Sequence, residues 1–222
     1  MTPFFAYPKA TAFGRIVPKS KIYEHAGASS ALKDKFVAEV DQIIWAHKLA
    51  PETLHLDATP SVAEIQVFEI QLKAGVCDVE VLRALDLAIP FPLIFELVHG
   101  GRRKVVAAHK RPSDGDRAKW VASNYFHSDW EVENCDRMPL PVALDIGGLY
   151  DQLLSALMPP TADEGEGIRA RIARAEAIQA KEREIARIRS RLAREKQFNR
   201  RVAINGELRE VLRAYERLRA PE

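Results

Sequence analysis

From Gly165 to Leu218 apolar residues recur every three or four positions between dense charges, a pattern that long helix satisfies and strand does not. Ile168, Ile172, Ala175 and Ile178 start an apolar stripe, Ile185, Ile188 and Leu192 continue it, and Phe198 and Val202 extend it. Positions 178, 185, 192 and 199 carry Ile, Ile, Leu and Asn at intervals of seven, as a helix-packing seam does. The seam read from this spacing is Ile178, Ile185, Ile188, Leu192 and Val202. A second stripe follows Asn205-Gly206 through Leu208, Val211, Leu212, Tyr215 and Leu218. Asn-Gly either ends a helix or is carried inside one at a cost of about 1 kcal/mol, so both readings stand. The stripe is narrow. It predicts packing against another helix, in a partner or a second copy, rather than burial in a globular core.

Charge separates this segment from the rest. Residues 165–222 hold 16 Lys and Arg against 9 Glu, a net charge of +7, while residues 1–164 hold 17 against 22 Asp and Glu, a net charge of −5. The near-neutral total therefore conceals a basic arm on a mildly acidic body, an asymmetry that points to binding. Arg187, Arg189, Arg191, Arg194, Lys196, Arg200 and Arg201 place seven cations within fifteen residues. The candidate partner- or nucleic-acid-binding residues are Arg187, Arg191, Arg194, Lys196, Gln197, Asn199, Arg200 and Arg201. A solvated face with interleaved glutamates is the plain alternative; an acidic protein surface or nucleic-acid phosphate is the functional one. Phosphate contact would be steeply salt-dependent. Only Phe198 is available nearby for base stacking, which argues against single-strand recognition.

The remaining chain alternates element types. Residues 1–28 read as irregular. Ser29 and Ser30 cap a predicted helix over 31–49, whose Leu32, Phe36, Val40, Ile43, Ile44 and His47 form one stripe, and Pro51 ends it. Short strand is predicted over 53–57, and a strand over 64–72 with Ile65, Val67 and Glu69 on one face and Phe68, Ile70 and Leu72 on the other. Asp78 caps a helix over 79–87. Strands over 93–98 and 102–109 flank the Gly100-Gly101 turn, a strand spans 119–128, and a short helix spans 149–157. This order predicts an α/β (α+β) body over 1–158, a single mainly antiparallel mixed sheet with flanking helices. The sequence Pro-Pro-Thr-Ala-Asp-Glu-Gly-Glu-Gly over 159–167 reads as a linker, and 168–220 as the basic helical, coiled-coil-like arm.

No run of about 18 apolar residues suggests a membrane span. The short apolar start, interrupted by Lys9, lacks the form of a secretory signal, so a reducing cytoplasm is the expected setting. Cys77 and Cys135 match no zinc or redox spacing, and no metal or cofactor is expected. The sharpest enzymatic reading is a metal-dependent nuclease that uses Asp57, Glu69 and Lys73, since such chemistry needs strand-borne carboxylates and a cation to position water. The Gly100-Gly101-Arg102-Arg103-Lys104 turn reads as a basic hairpin tip, not a phosphate loop.

Several segments carry a family likeness. They are Ile16-Val17-Pro18-Lys19, Ile22-Tyr23-Glu24, the run from Ile44 to Thr53, Glu64-Ile65-Gln66-Val67-Phe68-Glu69-Ile70, Asp86 with Ile89-Pro90, the run from Tyr125 to Trp130, and the run from Glu195 to Arg201. In this order they resemble the bacterial domain-of-unknown-function family 4391 along nearly the whole chain. The resemblance carries no catalytic residues. It implies a gene neighbourhood of helicases and site-specific DNA methyltransferases in defence-type clusters. The expected function is then a non-catalytic accessory or adaptor subunit of a bacterial DNA-processing or phage-defence assembly. It would dock through the basic arm on a larger protein of helicase or methyltransferase class, or on the DNA backbone. The alternatives are the divergent nuclease and a homodimer joined through the arm.

Overall fold

The computed structural model describes residues 3–113, 120–160 and 166–219. The chain divides into two compact units, Met1–Leu157 and Met158–Glu222. Part of the expected linker, 161–165, and position 119 of the strand expected over 119–128 lie outside the described residues.

In the first unit the elements run β1 (Phe5–Ala6), a 3-10 turn (Lys9–Thr11), β2 (Ala12–Ile16), α1 (Lys19–Ala26), α2 (Ser30–Glu39), β3 (Val40–Leu49), α3 (Pro51–Leu54) and β4 (Ile65–Leu72). They continue with α4 (Val79–Ala88), β5 (Leu93–His99), β6 (Arg102–Pro112), β7 (Trp120–His127), β8 (Glu131–Val132), β9 (Met138–Pro139) and α5 (Ile146–Ser155). The main sheet has the order β2-β3-β4-β5-β6-β7, with β8 alongside β6, and β1 pairs with β9 separately. Within the main sheet β4 and β5 are parallel and the other pairings antiparallel. The fold is thus α+β around a mainly antiparallel mixed sheet, as the element order predicts.

The two faces of β4 explain the layering. Phe68, Ile70 and Leu72 join Phe95, Leu97 and Val106 in a core with Ile22 of α1, Phe36 of α2 and Val81, Leu82 and Leu85 of α4. Ile65 and Val67 are equally buried on the opposite face, so both sides of this strand are covered. Asp78 caps α4 by accepting from the Glu80 amide at 2.9 Å. Gly100 and Gly101 take φ of 56° and 73°, the left-handed pair that a tight hairpin between β5 and β6 requires.

Three expectations are corrected. The helix predicted over 31–49 stops at Glu39, and Val40–Leu49 is strand β3. Val40, Ile43, Ile44 and Trp45 are β-branched or aromatic and pair with β4, and that pairing overrides the helix-like spacing. The strand expected over 53–57 is the short helix α3, followed by His55 at φ 57°; Asp57 makes only an isolated bridge to Asp145. Residues 1–28, expected to be irregular, contain β1, β2 and α1.

Helix α5 begins earlier than expected, at Ile146, because Asp145 accepts from the Gly148 amide at 2.7 Å. A Cβ on Gly147 would lie 2.9 Å from both Cγ2 and Oγ1 of Thr59. That hydroxyl also accepts from the Val62 amide at 3.0 Å and so cannot simply turn away. Gly147→Ala is therefore expected to destabilise the first unit by about 1–3 kcal/mol, read as a lower urea midpoint. An unchanged midpoint would show that the 59–62 turn yields freely.

The second unit is a helical hairpin of α6 (Ile168–Arg194) and α7 (Phe198–Arg219). Helix α7 runs unbroken through Asn205-Gly206; the break comes at 195–197, where Glu195 accepts from the Gln197 amide at 2.8 Å. Arg191 pairs with Glu207, and Tyr215 donates to Glu182 at 3.0 Å. These pairings run in opposite sense along the two helices, so the hairpin is antiparallel. Ile185 and Ile188 pack with Ile204 and Val211, flanked by Leu192, Leu208, Leu212 and Tyr215. The two stripes read from the sequence thus face each other.

Candidate functional site

The most concentrated chemistry of the first unit lies on the sheet face that carries Ile65 and Val67. Four adjacent strands each bring one polar side chain there. Glu69 of β4 pairs in register with Glu96 of β5, and Arg103 of β6 lies two residues from Val105, the partner of Glu96, and so on the same face. His47 reaches the same face because β3 shifts register between Trp45 and His47, so that Trp45 faces Phe68 and the helices while His47 stands beside Val67. Tyr7, after β1, and Arg137, before β9, close over the group.

Glu96 is 4% exposed, and Arg137 grips it with both guanidinium nitrogens at 2.9 and 2.8 Å. Arg103 Nη1 donates to Glu96 at 2.5 Å and to Glu69 at 3.0 Å. Burial alone would push the Glu96 carboxyl up, but the bonds from Arg137 and the charges of both arginines outweigh it and hold the group below its usual range. Arg137 also donates to Phe5 O at 2.8 Å, which ties the β1 segment to the cluster. Burial pushes the His47 pKa down, so the imidazole is neutral near pH 7, and burial pushes the Tyr7 hydroxyl well up. These groups line a cleft of about 380 Å³.

A second buried group lies where α4 meets β6 and β7. Lys110, 2% exposed, donates to the carbonyls of Asp86 and Ile89, and its Nζ sits 3.6 Å from the Asp86 carboxylate. Tyr125 donates to the other Asp86 oxygen. Lys110 therefore caps the end of α4 from beneath. Burial pushes Asp86 up to about 6 despite Lys110 and Tyr125. A folded pKa above the unfolded value of about 4 means the folded chain binds the proton more tightly, so this contribution is present at low pH and is lost as pH rises through about 6. Urea stability is expected to fall between about pH 4 and about pH 6 by an amount that disappears in Asp86→Asn. An identical pH profile in the variant would remove Asp86 as the cause.

The residues of the expected nuclease do not converge. Glu69 is held by Arg103 and by Gln71 at 3.3 Å, Lys73 donates to Val37 O at 2.7 Å at the end of α2, and Asp57 bridges Asp145 through its backbone. Among the described residues no three His, Cys, Asp or Glu side chains are grouped to hold a metal ion. The expected basic hairpin tip holds for the turn and for exposed Arg102 but is corrected at Arg103. Arg103 is buried in the carboxylate cluster, and Arg102 donates to Trp130 O at 2.8 Å.

In the hairpin unit, Ile185, Ile188 and Leu192 lie in the packed seam as the spacing predicts. Ile178 lies earlier on α6, outside that cluster, and Val202 is 52% exposed. Because the chain reverses at 195–197, the phase of α7 is set by what faces α6, and Ile204 takes the place expected of Val202. Arg187, Arg189, Arg191, Arg194, Lys196, Gln197, Asn199, Arg200 and Arg201 are all exposed. The reversal gathers them at one end of the hairpin. Arg191 pairs with Glu207; among the described residues the other six cations make no ion pair.

The model of the family described as a domain of unknown function (DUF4391) matches residues 5–214. The chain belongs to this family. The DUF4391 match spans both units, so it takes in the cleft residues and most of the basic hairpin. No curated protein and no solved structure matches it. Among the described residues no helix is long and apolar enough to cross a membrane.

The sequence reading missed Tyr7, His47, Glu96, Arg103 and Arg137 as a group. Glu96 offered the one usable signal, a carboxylate in the middle of the apolar run Leu93-Ile94-Phe95-Glu96-Leu97-Val98. A charge there has to be paired.

Proposed function

We propose that this chain is a non-catalytic accessory subunit of a bacterial, cytoplasmic DNA-processing assembly, and that it grips the DNA backbone with the end of its C-terminal hairpin. The observation that carries the reading is the set of six exposed cations without ion pairs beside the 195–197 reversal. The apolar seam that would have called for a partner helix is filled within the hairpin, so charge is the main thing left on offer. Within 187–201 the single acid is Glu195. Phe198 and Val202 are the large apolar side chains exposed among these cations. The family resemblance, with its implied helicase and methyltransferase neighbours, supports the DNA-processing setting.

Backbone contact predicts sequence-independent affinity that falls steeply with salt. Changing Arg194, Lys196, Arg200 and Arg201 to Gln keeps long, helix-compatible side chains. It is expected to reduce the slope of log affinity against log salt by at most about four, measured by fluorescence anisotropy on two unrelated duplexes. Weak DNA binding by both proteins, with loss of a helicase- or methyltransferase-class polypeptide from the variant's native complex, would transfer the same surface to a protein partner.

A further inference from the structure

We infer that Phe198 is a wedge that the hairpin drives between two stacked base pairs of duplex DNA, which rests on the DNA-backbone reading above. Phe198 is 78% exposed, and of the described aromatic residues it alone is exposed. It is the first residue of α7, directly after the 195–197 reversal. The Cα–Cβ bond of a helical residue tilts toward the helix N-terminus, so a side chain at the first position leans past the end of the hairpin. Val202 follows one turn later on the same side and is 52% exposed. Ile204, two residues further, packs against α6, which turns Val202 away from the seam. The ring therefore stands at the tip with an aliphatic side chain behind it, and the seam needs neither.

The base of the wedge is fastened. Glu195 accepts from the Gln197 amide at 2.8 Å, the Arg201 amide donates to Gln197 O at 3.0 Å, and Arg191 holds Glu207 across the two helices. Cations stand on both sides of it: Arg187, Arg189 and Arg194 on α6, Lys196 in the connection, and Arg200 and Arg201 on α7. This composition selects the mode of contact. A single strand is held by a row of aromatic rings, which one ring cannot supply. A protein groove that took Phe198 as an anchor would need a well-packed apolar surround, whereas Gln197, Asn199, Arg200 and Arg201 adjoin it here. A lone apolar side chain among phosphate-binding cations is how minor-groove proteins open one base step: the ring replaces the lost stacking, and the cations hold the bent backbone on either side. Such a contact favours steps that are already weakly stacked, since less has to be undone.

The probes are two duplexes of about 30 base pairs, identical except for a central T·T mismatch in one, each with a donor and an acceptor fluorophore at its ends. The full chain is expected to bind the mismatched duplex about tenfold more tightly, because part of the unstacking is already done, and to raise energy transfer between the ends as the duplex bends. Phe198→Ala keeps every charge. It is expected to leave the salt dependence of affinity unchanged and to abolish both the preference and the bend. Phe198→Leu still carries a wedge and is expected to retain part of each. Both positions are exposed to solvent before and after substitution, so the variants are expected to melt as the parent does. Wild-type binding with neither preference nor bend overturns the wedge and leaves the backbone reading standing, and no DNA binding at all removes both. The wedge is equally overturned if Phe198→Ala keeps the preference, or if it binds both duplexes as the wild type does but loses a co-purifying polypeptide, which would make the ring a protein anchor.

Discussion

Glu96→Ala is expected to destabilise the first unit by about 3–5 kcal/mol, as much as truncating a buried core aromatic of the same sheet. The carboxylate is 4% exposed and is the only group that both Arg103 and Arg137 contact at hydrogen-bond distance among the described residues. Removing it leaves two guanidinium groups near each other, with Glu69 and, at 3.5 Å from Arg103, Glu133 as the remaining acids. The pair should be partly replaceable: Glu96→Leu with Arg137→Met, which removes charge from both sides, is expected to recover part of the loss. The pH dependence has a definite sign. Because the folded carboxyl is held below its usual value, its contribution is present above the unfolded pKa of about 4 and is lost as pH falls through the lower folded value. Equilibrium urea unfolding at pH 7 and in the acid limb checks both parts. A Glu96→Ala loss under about 1 kcal/mol would mean that water enters and solvates the arginines.

Ile188→Asp is expected to melt the hairpin. Ile188 is 3% exposed and packs among Ile185, Ile204 and Val211, so an aspartate there buries a carboxylate with no partner, at a cost of several kcal/mol. Ile185→Asp with Leu192→Asp should act alike. Amide hydrogen exchange would show protection lost over α6 and α7 together, because each helix holds the other's apolar stripe. Val202→Asp is the control. A continuous seam through 178–202 predicts that it is as damaging as Ile188→Asp, whereas the hairpin predicts a cost under about 1 kcal/mol, since the side chain is 52% exposed. Equal losses at both positions would refute the antiparallel pairing.

How much of this was legible in the sequence depended on whether the signal was local. β4, β5, β6 and α4 were readable because their apolar runs, the Asp78 cap and the Gly100-Gly101 turn are short-range features. β3 was not. Val40, Ile43 and His47 fall at helical spacing, and the cause is visible only in three dimensions: register shifts near Gln42 and Ala46 break the strand's alternation. The hairpin reversal at Glu195-Lys196-Gln197 carries no Gly or Pro, while Asn205-Gly206, which does carry a turn signal, sits inside α7. There the mutual burial of two stripes outweighed local propensity. The cleft was the least legible part. Its members come from positions 7 to 137, and Arg103 and His47 sat in segments whose local reading, a basic turn and a helix face, pointed elsewhere.

The passage from α2 to β3 has a consequence for how this chain tolerates change in length. Glu39 ends the helix and Val40 begins the strand, with no residue between them. Such a joint has no slack. One residue inserted there would turn the alternation of β3 over, exchanging the side that meets the helices for the side that bears His47. It would otherwise have to unwind the last turn of α2, whose Val37 carbonyl receives Lys73 and whose Glu39 accepts the Asp78 amide at 2.6 Å. Between β4 and α4, residues 73–78 offer a connection that can absorb such an insertion. Natural length variation in chains of this architecture should therefore be found in connections of that kind and be absent between 39 and 40.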